Sequence, residues 1–301
     1  MKKWTALAVC ICIICSLAAC GGYGAGNTDS GKLKISVSFN AMKEFAQAVG
    51  GDKVEVSVII PDGTEPHDFE PKARDLAGLG EAKVFIYNGL GMEPWAKEAV
   101  SAAGNDELIT VDASTGVEKI KNTDSEAVRE HGQYDPHIWL SLKCAQKEVS
   151  NIKNAIVMAD PSNKDYYERN CSEYISKLES LYSEYSEKFS ALNKKSFVTG
   201  HAAFAYLCRD FGLIQNSVED TFAEGEPSAS QLAELVEYCR NNDVTAVFAE
   251  EMASPEISET LAKEVGAKVE TVYTIESSED GRTYLERMEE NLRRIYESLS
   301  Q

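Results

Sequence analysis

The sequence is short of positive charge: 30 lysines and arginines face 49 aspartates and glutamates in 301 residues, a formal net charge of −19. No basic run occurs that could follow a phosphate backbone, which excludes nucleic acid as a partner. The same absence excludes a basic patch for anionic lipid. Signatures of hydrolytic chemistry are missing as well, with no H-E-x-x-H, no G-x-S-x-G and no cysteine–histidine pairing in a nucleophile's context. The glycine-rich Asn88-Gly89-Leu90-Gly91-Met92-Glu93-Pro94-Trp95 lacks G-x-G-x-x-G spacing and a following Lys-Ser/Thr, so it is no phosphate-cradling loop. Histidine is scarce, at four residues, and neither glycine nor proline interrupts the chain between Ser162 and Leu192.

What is present begins with a leader. Lys2 and Lys3 precede a nearly unbroken apolar run over 6–17, closed by Leu17-Ala18-Ala19-Cys20-Gly21. That run is too short for a lasting transmembrane helix and reads as an export signal over 1–19. Leu-Ala-Ala-Cys-Gly resembles the bacterial lipobox, which implies cleavage before Cys20, lipidation of its thiol and an extracytoplasmic chain anchored to the bacterial cell membrane. Loss of Lys2 and Lys3 takes the net charge to −21, and Cys10, Cys12 and Cys15 leave with them. Residues 20–31, rich in glycine, read as a flexible tether. So acidic an exported surface suits a cationic ligand. Cys144, Cys171, Cys208 and Cys239 remain, spaced like no CxxC metal site. Disulfides Cys144–Cys171 and Cys208–Cys239, one on each side of a central helix, are the favoured reading, with buried free thiols the alternative.

The rest alternates strand and helix patterns. Strands are expected at 33–39, 54–60, 82–87 and 108–112, with helices at 41–49, 72–79 and from Trp95. Residues 113–135 lose periodicity and form an acidic loop in which His131, among Glu126, Arg129 and Glu130, is a solvated side chain or an auxiliary metal-collecting one. A helix at 141–158 follows. From 162 to 192 apolar residues fall at Tyr167, Cys171, Tyr174, Leu178, Leu181, Tyr185 and Leu192, one helical stripe too rich in tyrosine for a coiled-coil seam. A helix of that length outreaches one domain and reads as a spine between lobes. Strands at 196–199, 213–218, 244–249 and 267–272 then alternate with helices, the last at 283–299. The fold class is α/β: two lobes of mostly parallel sheet with flanking helices, joined by one long spine helix. Domain bounds are 32–160 for the first lobe, 161–193 for the spine and 194–301 for the second lobe.

Chemistry concentrates where strands end. Pro61-Asp62-Gly63-Thr64-Glu65-Pro66-His67-Asp68-Phe69-Glu70-Pro71 leaves the second strand, and Asp135-Pro136-His137 repeats its acid-Pro-His triplet. Proline fixes its own φ and extends the residue before it, so each imidazole stands on a stiff support, as a metal ligand requires. His201 follows the first strand of the second lobe and Glu276 its last. Ligands at the carboxyl ends of strands in both lobes would meet in the cleft between them.

These motifs, with Thr199-Gly200-His201-Ala202-Ala203-Phe204-Ala205-Tyr206-Leu207 and Asp135-Pro136-His137-Ile138-Trp139-Leu140, resemble the solute-binding lipoproteins of bacterial zinc and manganese ABC importers, over 33–299. The resemblance implies that His67, His137 and His201 are metal ligands and that the lobes move little on a stiff spine. It implies partners too: an ABC permease with its ATPase, and a membrane met through the lipid alone by a monomeric receptor. For the fourth ligand many members use an aspartate in Leu-Asp-Pro-Leu. Here Val272-Tyr273-Thr274-Ile275-Glu276 departs from that pattern and points to Glu276, with Glu65, Glu250 or a water as alternatives. Three imidazoles and one carboxylate suit four-coordinate Zn²⁺, and a further or bidentate carboxylate would favour Mn²⁺ or another oxygen-preferring ion such as Fe²⁺. The histidines bind only when neutral, so occupancy should fall as pH drops toward or below the free-imidazole pKa of about 6.5. The reading is a zinc receptor and not an enzyme. A secreted zinc hydrolase and an adhesin that uses the acidic loop are the competing classes.

Overall fold

The first sheet grows outward from β1 (Leu33–Val37), the strand whose alternate residues Ile35 and Val37 are buried. β2 (Val54–Val58) lies on one side of it, and β3 (Val84–Tyr87) and then β4 (Ile109–Asp112) lie on the other, every pair parallel. The second sheet repeats this plan, with the order β6 (Ile214–Ser217), β5 (Ser196–Thr199), β7 (Ala246–Glu250), β8 (Lys268–Val272), again all parallel. Parallel strands require crossovers, and helices supply them. In the first lobe these are α1 (Asn40–Gly50) and α2 (Ala96–Ala103); in the second, α5 (Ala205–Phe211), α6 (Ala229–Asn241) and α7 (Glu256–Val265). The computed structural model describes residues 31–122, 128, 132–221, 228–250, 256–278 and 280–301. The leader, Cys20 and the His131 segment of the acidic loop lie outside the described residues. Among the described residues no helix is long and apolar enough to cross a membrane.

Between the sheets run α3 (Leu142–Ala159), capped by Ser141, whose hydroxyl accepts from the Cys144 amide, and α4 (Lys164–Ser190). At 27 residues α4 spans about 40 Å. It buries Tyr167, Cys171, Leu178, Tyr185 and Phe189, mostly members of the stripe seen in the sequence. This face packs on α1 and α3 in the first lobe and on α5 and the terminal helix α8 (Tyr284–Leu299) in the second. One hydrophobic core runs through both lobes as a result, from Ile35 and Phe45 across Trp139 and Leu178 to Phe248 and Leu292.

Two expectations fail. Residues 72–79 are not an α-helix; turns lead into a 3₁₀ helix at Ala77–Gly80. Gly78 and Gly80 fall where a helix would continue, and each costs about 1 kcal/mol there relative to alanine. Neither disulfide forms, because Cys144, Cys171, Cys208 and Cys239 are all buried free thiols. Cys144 packs with Val117, Ile138 and Tyr206, whereas Cys171 lies in the main core near Lys153, further along α3. That offset is about 13 Å of helix, against the 7 Å a disulfide tolerates between Cα atoms. Cys208 faces the main core, but Cys239 sits in a separate cluster with Val198, Leu235, Val247 and Leu261. Burial pushes all four thiols up, Cys239 to about 11.

Protein lacking its first twenty residues is therefore expected to release its four thiols to a thiol reagent only on unfolding. Its thermal midpoint should not move with added reductant; two free thiols, or a midpoint lowered by reductant, would contradict the packing.

Candidate metal centre

Four side chains from loops at the carboxyl ends of parallel strands converge between the lobes. His67 lies in the segment between β2 and the 3₁₀ helix, His137 precedes α3, His201 stands two residues beyond β5 and Glu276 four beyond β8. One ligand atom from each lies within 4.8 Å of the others, and among the described residues this is the group of histidine, cysteine and acid side chains that could hold a metal ion. The Nε2 atoms of His67 and His137 are 3.1 Å apart and those of His201 and His137 are 3.4 Å apart. Nitrogens bound at about 2.05 Å to one tetrahedral zinc are about 3.3 Å apart, so the imidazole spacing already fits that ion. Glu276 Oε1 stands 4.0 Å from His137 Nε2, and joining the same tetrahedron needs an approach of about 0.7 Å.

Carboxylates behind the rings determine where the nitrogens face. Asp135 Oδ1 accepts from both the backbone N–H and the Nδ1 of His137, each at 2.9 Å. That leaves His137 Nε2 as the lone pair towards its neighbours. Glu65 Oε1 accepts from the His67 amide at 3.2 Å, so both acid-Pro-His triplets close the same short turn from the acid to the histidine N–H. In the second lobe Glu250 Oε1 accepts from the His201 amide at 3.0 Å and lies 3.5 Å from its Nδ1. A Cβ at Gly200 would come within 2.0 Å of Glu250 Oε2, so a larger residue there would displace this carboxylate. His137, His201 and Glu276 are buried, and His67 is the least buried of the four.

Electrostatics separates the two buried histidines. Burial, then the charge on His201, drives His137 well below 6.5. Burial also opposes charge on His201, but Glu250, Glu276 and Glu65 outweigh it and raise that pKa to about 9. Burial lifts Asp135 to about 7 against the hydrogen bond from His137 and the charge of His201. Burial raises Glu65 too. The centre is a pocket of carboxylates that draws one positive charge onto His201, in the position a metal cation suits better.

His67, His137, His201 and Glu276, expected from the sequence, are thus brought together. Glu65 and Glu250, the alternatives for a fourth ligand, stay outside the group and support histidines instead. Sequence reasoning missed the supports drawn from distant segments. Tyr206 donates to Asp135 O at 2.8 Å and accepts from the Ile120 amide, and Trp139 Nε1 donates to Thr274 O at 2.6 Å. Only the acids of the two acid-Pro-His triplets, Glu65 and Asp135, gave a local signal.

The family described as zinc-uptake complex component A, periplasmic (ZnuA), matches residues 35–298. A protein of Treponema pallidum (strain Nichols) is 45% identical over 281 residues, covering 91% of this chain and 89% of its own. The high-affinity zinc uptake system protein ZnuA of Bacillus subtilis (strain 168) is 37% identical, over 99% of this chain and 98% of its own. The Zn(II)-bound ZnuA-like domain of Streptococcus pneumoniae AdcA superposes with a TM-score of 0.77 at 35% identity, covering 90% of this chain and all of that one.

A metal that binds His201 must displace its proton. With that pKa near 9, binding competes with protonation throughout the neutral range and not only below 6.5 as the free imidazole suggests. Apparent zinc affinity is expected to rise about tenfold per pH unit from 7 to 9 and then level, with about one proton released per ion at pH 7. Calorimetry in buffers of different ionisation enthalpy measures both; an affinity flat across that range would contradict the assignment.

Proposed function

The chain belongs to the periplasmic zinc-uptake component A family, and we propose that it is the lipid-anchored receptor of a zinc importer. In this reading it captures Zn²⁺ outside the cell and hands it to an ABC permease driven by its ATPase. The observation that carries the proposal is the convergence of His67, His137 and His201 with Glu276 within 4.8 Å, two groups from each lobe. The donor set supports zinc as cargo: three imidazole nitrogens and one carboxylate oxygen match its four-coordinate preference, whereas manganese favours more oxygen.

The ligand roles follow from the geometry. His137, its Nε2 presented by Asp135, is the nitrogen that both other imidazoles face, and His67 closes the solvent side. His201 and Glu276 complete the set from the second lobe, so the ion itself ties the lobes together. Binding alone is asked of these residues; Glu65, Asp135 and Glu250 accept hydrogen bonds from histidine amides or rings, which does not suit a general base activating water. Release is assigned to docking on the permease, which would part the lobes and separate the two ligand pairs. Cys20 would carry the lipid that keeps the receptor near its transporter.

Purified protein is expected to hold one zinc ion, measured by elemental analysis and titration calorimetry, and to turn over no ester or peptide substrate. His201→Ala should weaken zinc by at least 100-fold, since outer supports alone shift affinity by about 10- to 100-fold and a ligand exceeds them. A variant that binds zinc as tightly as the parent would refute the ligand set, and hydrolytic turnover dependent on zinc would favour the enzyme reading.

A further inference from the structure

The geometry points to Thr274 as the residue that fixes how Glu276 meets the ion, and thereby which metal the site prefers. This rests on the ligand set proposed above. Thr274 is 1% exposed, and its Oγ1 donates to Glu276 Oε2 at 2.9 Å. The other carboxylate oxygen, Oε1, is the one turned towards His137 Nε2. Thr274 is itself anchored from the first lobe, through Trp139 Nε1 on its carbonyl at 2.6 Å.

The backbone between the two residues is built for this contact. Ile275 is fully buried and has a φ of +62°, a left-handed conformation that a β-branched residue adopts only when its surroundings impose it. In an extended segment residues two apart are separated by about 6.6 Å. The turn at Ile275 folds the threonine hydroxyl onto the carboxylate. Asn40 holds that turn from the first lobe: its amide N–H donates to Glu276 O at 3.3 Å, and its Nδ2 lies 3.5 Å from Ile275 O and 3.3 Å from Ser277 O.

A carboxylate can bind a metal through one oxygen or through two. With Oε2 engaged by Thr274, Glu276 is directed to bind through Oε1 alone, and three imidazoles with one oxygen make the closed tetrahedral set of zinc. A free Oε2 would allow two-oxygen binding and a fifth position, the oxygen-rich environment that manganese prefers. Thr274 is not one of the four grouped side chains. It is a positioning residue, and it selects the metal by restricting the denticity of Glu276. Hydrogen bonds to ligating groups of this kind change metal affinity by about 10- to 100-fold.

Two variants separate the hydroxyl from the shape of the side chain: Thr274→Val removes the donor, and Thr274→Ser keeps it. In Zn²⁺/Mn²⁺ competition titrations, T274V is expected to lower the zinc-to-manganese affinity ratio by about tenfold or more, and T274S to leave it at the parent's value. The Co²⁺-loaded proteins give a second readout. The parent and T274S should show the intense visible bands of four-coordinate cobalt, and T274V the weaker bands of a higher coordination number. A T274V protein with the parent's ratio and cobalt spectrum would overturn the inference while leaving the zinc site standing. A parent that binds no zinc would overturn the receptor reading instead. Should T274V fail to fold, the parent decides: a four-coordinate cobalt spectrum supports single-oxygen binding, and a five- or six-coordinate one overturns it.

Discussion

Three imidazole nitrogens held 3.1 and 3.4 Å apart in a ring of carboxylates are the constraint that the rest of the molecule serves. Lone pairs at that separation repel unless a proton or a metal stands between them, so the arrangement stores a demand for positive charge. The surrounding acids strengthen the demand. Glu250, Glu276 and Glu65 together override the burial that would otherwise keep His201 neutral, while Asp135 accepts from the ring of His137. The same field favours a doubly charged ion: a dication satisfies acids that a single proton leaves partly uncompensated.

Such spacing survives only if the lobes that contribute the ligands are fixed relative to each other. Three devices do this. The spine α4 packs against helices of both lobes, and the core is continuous across the junction. Trp139, fully buried two residues past His137, has its indole on Thr274 O, its carbonyl accepting from Tyr284 Oη, and its ring edge-on to Phe39 at 4.8 Å. Hydrogen bonds from Asn40, Gly63 and Ser278 then stitch the Glu276 loop to the first lobe. Packed cores yield in discrete steps rather than by continuous deformation. A molecule built this way holds the geometry of its site without help from outside.

Much of this was legible in the sequence because it is local. Period-two runs set against helical stripes gave the two α/β lobes, and a long stretch free of glycine and proline gave the spine. Acid-Pro-His is visible as a motif since its carboxylate and amide are two residues apart. The remainder is made by pairs with no local pattern. Glu250 reaches His201 across 49 positions and Trp139 reaches Thr274 across 135, distances at which sequence spacing carries no geometry. The cysteines fail for the same reason, since Cys144 and Cys171 share a helical pair in sequence but stand at different heights along it. Residues 72–79 mislead in the opposite direction: their apolar spacing suits a helix, but glycines at 78 and 80 leave too little propensity to complete one.

The central claim is that histidines from both lobes meet one ion through the same ring nitrogen. Long-range ¹H–¹⁵N correlation spectra of ring-labelled, zinc-loaded protein read that directly. The account predicts three histidines, His67, His137 and His201, with metal-shifted Nε2 resonances and protonated Nδ1. A spectrum in which the His201 ring keeps its zinc-free shifts would contradict it.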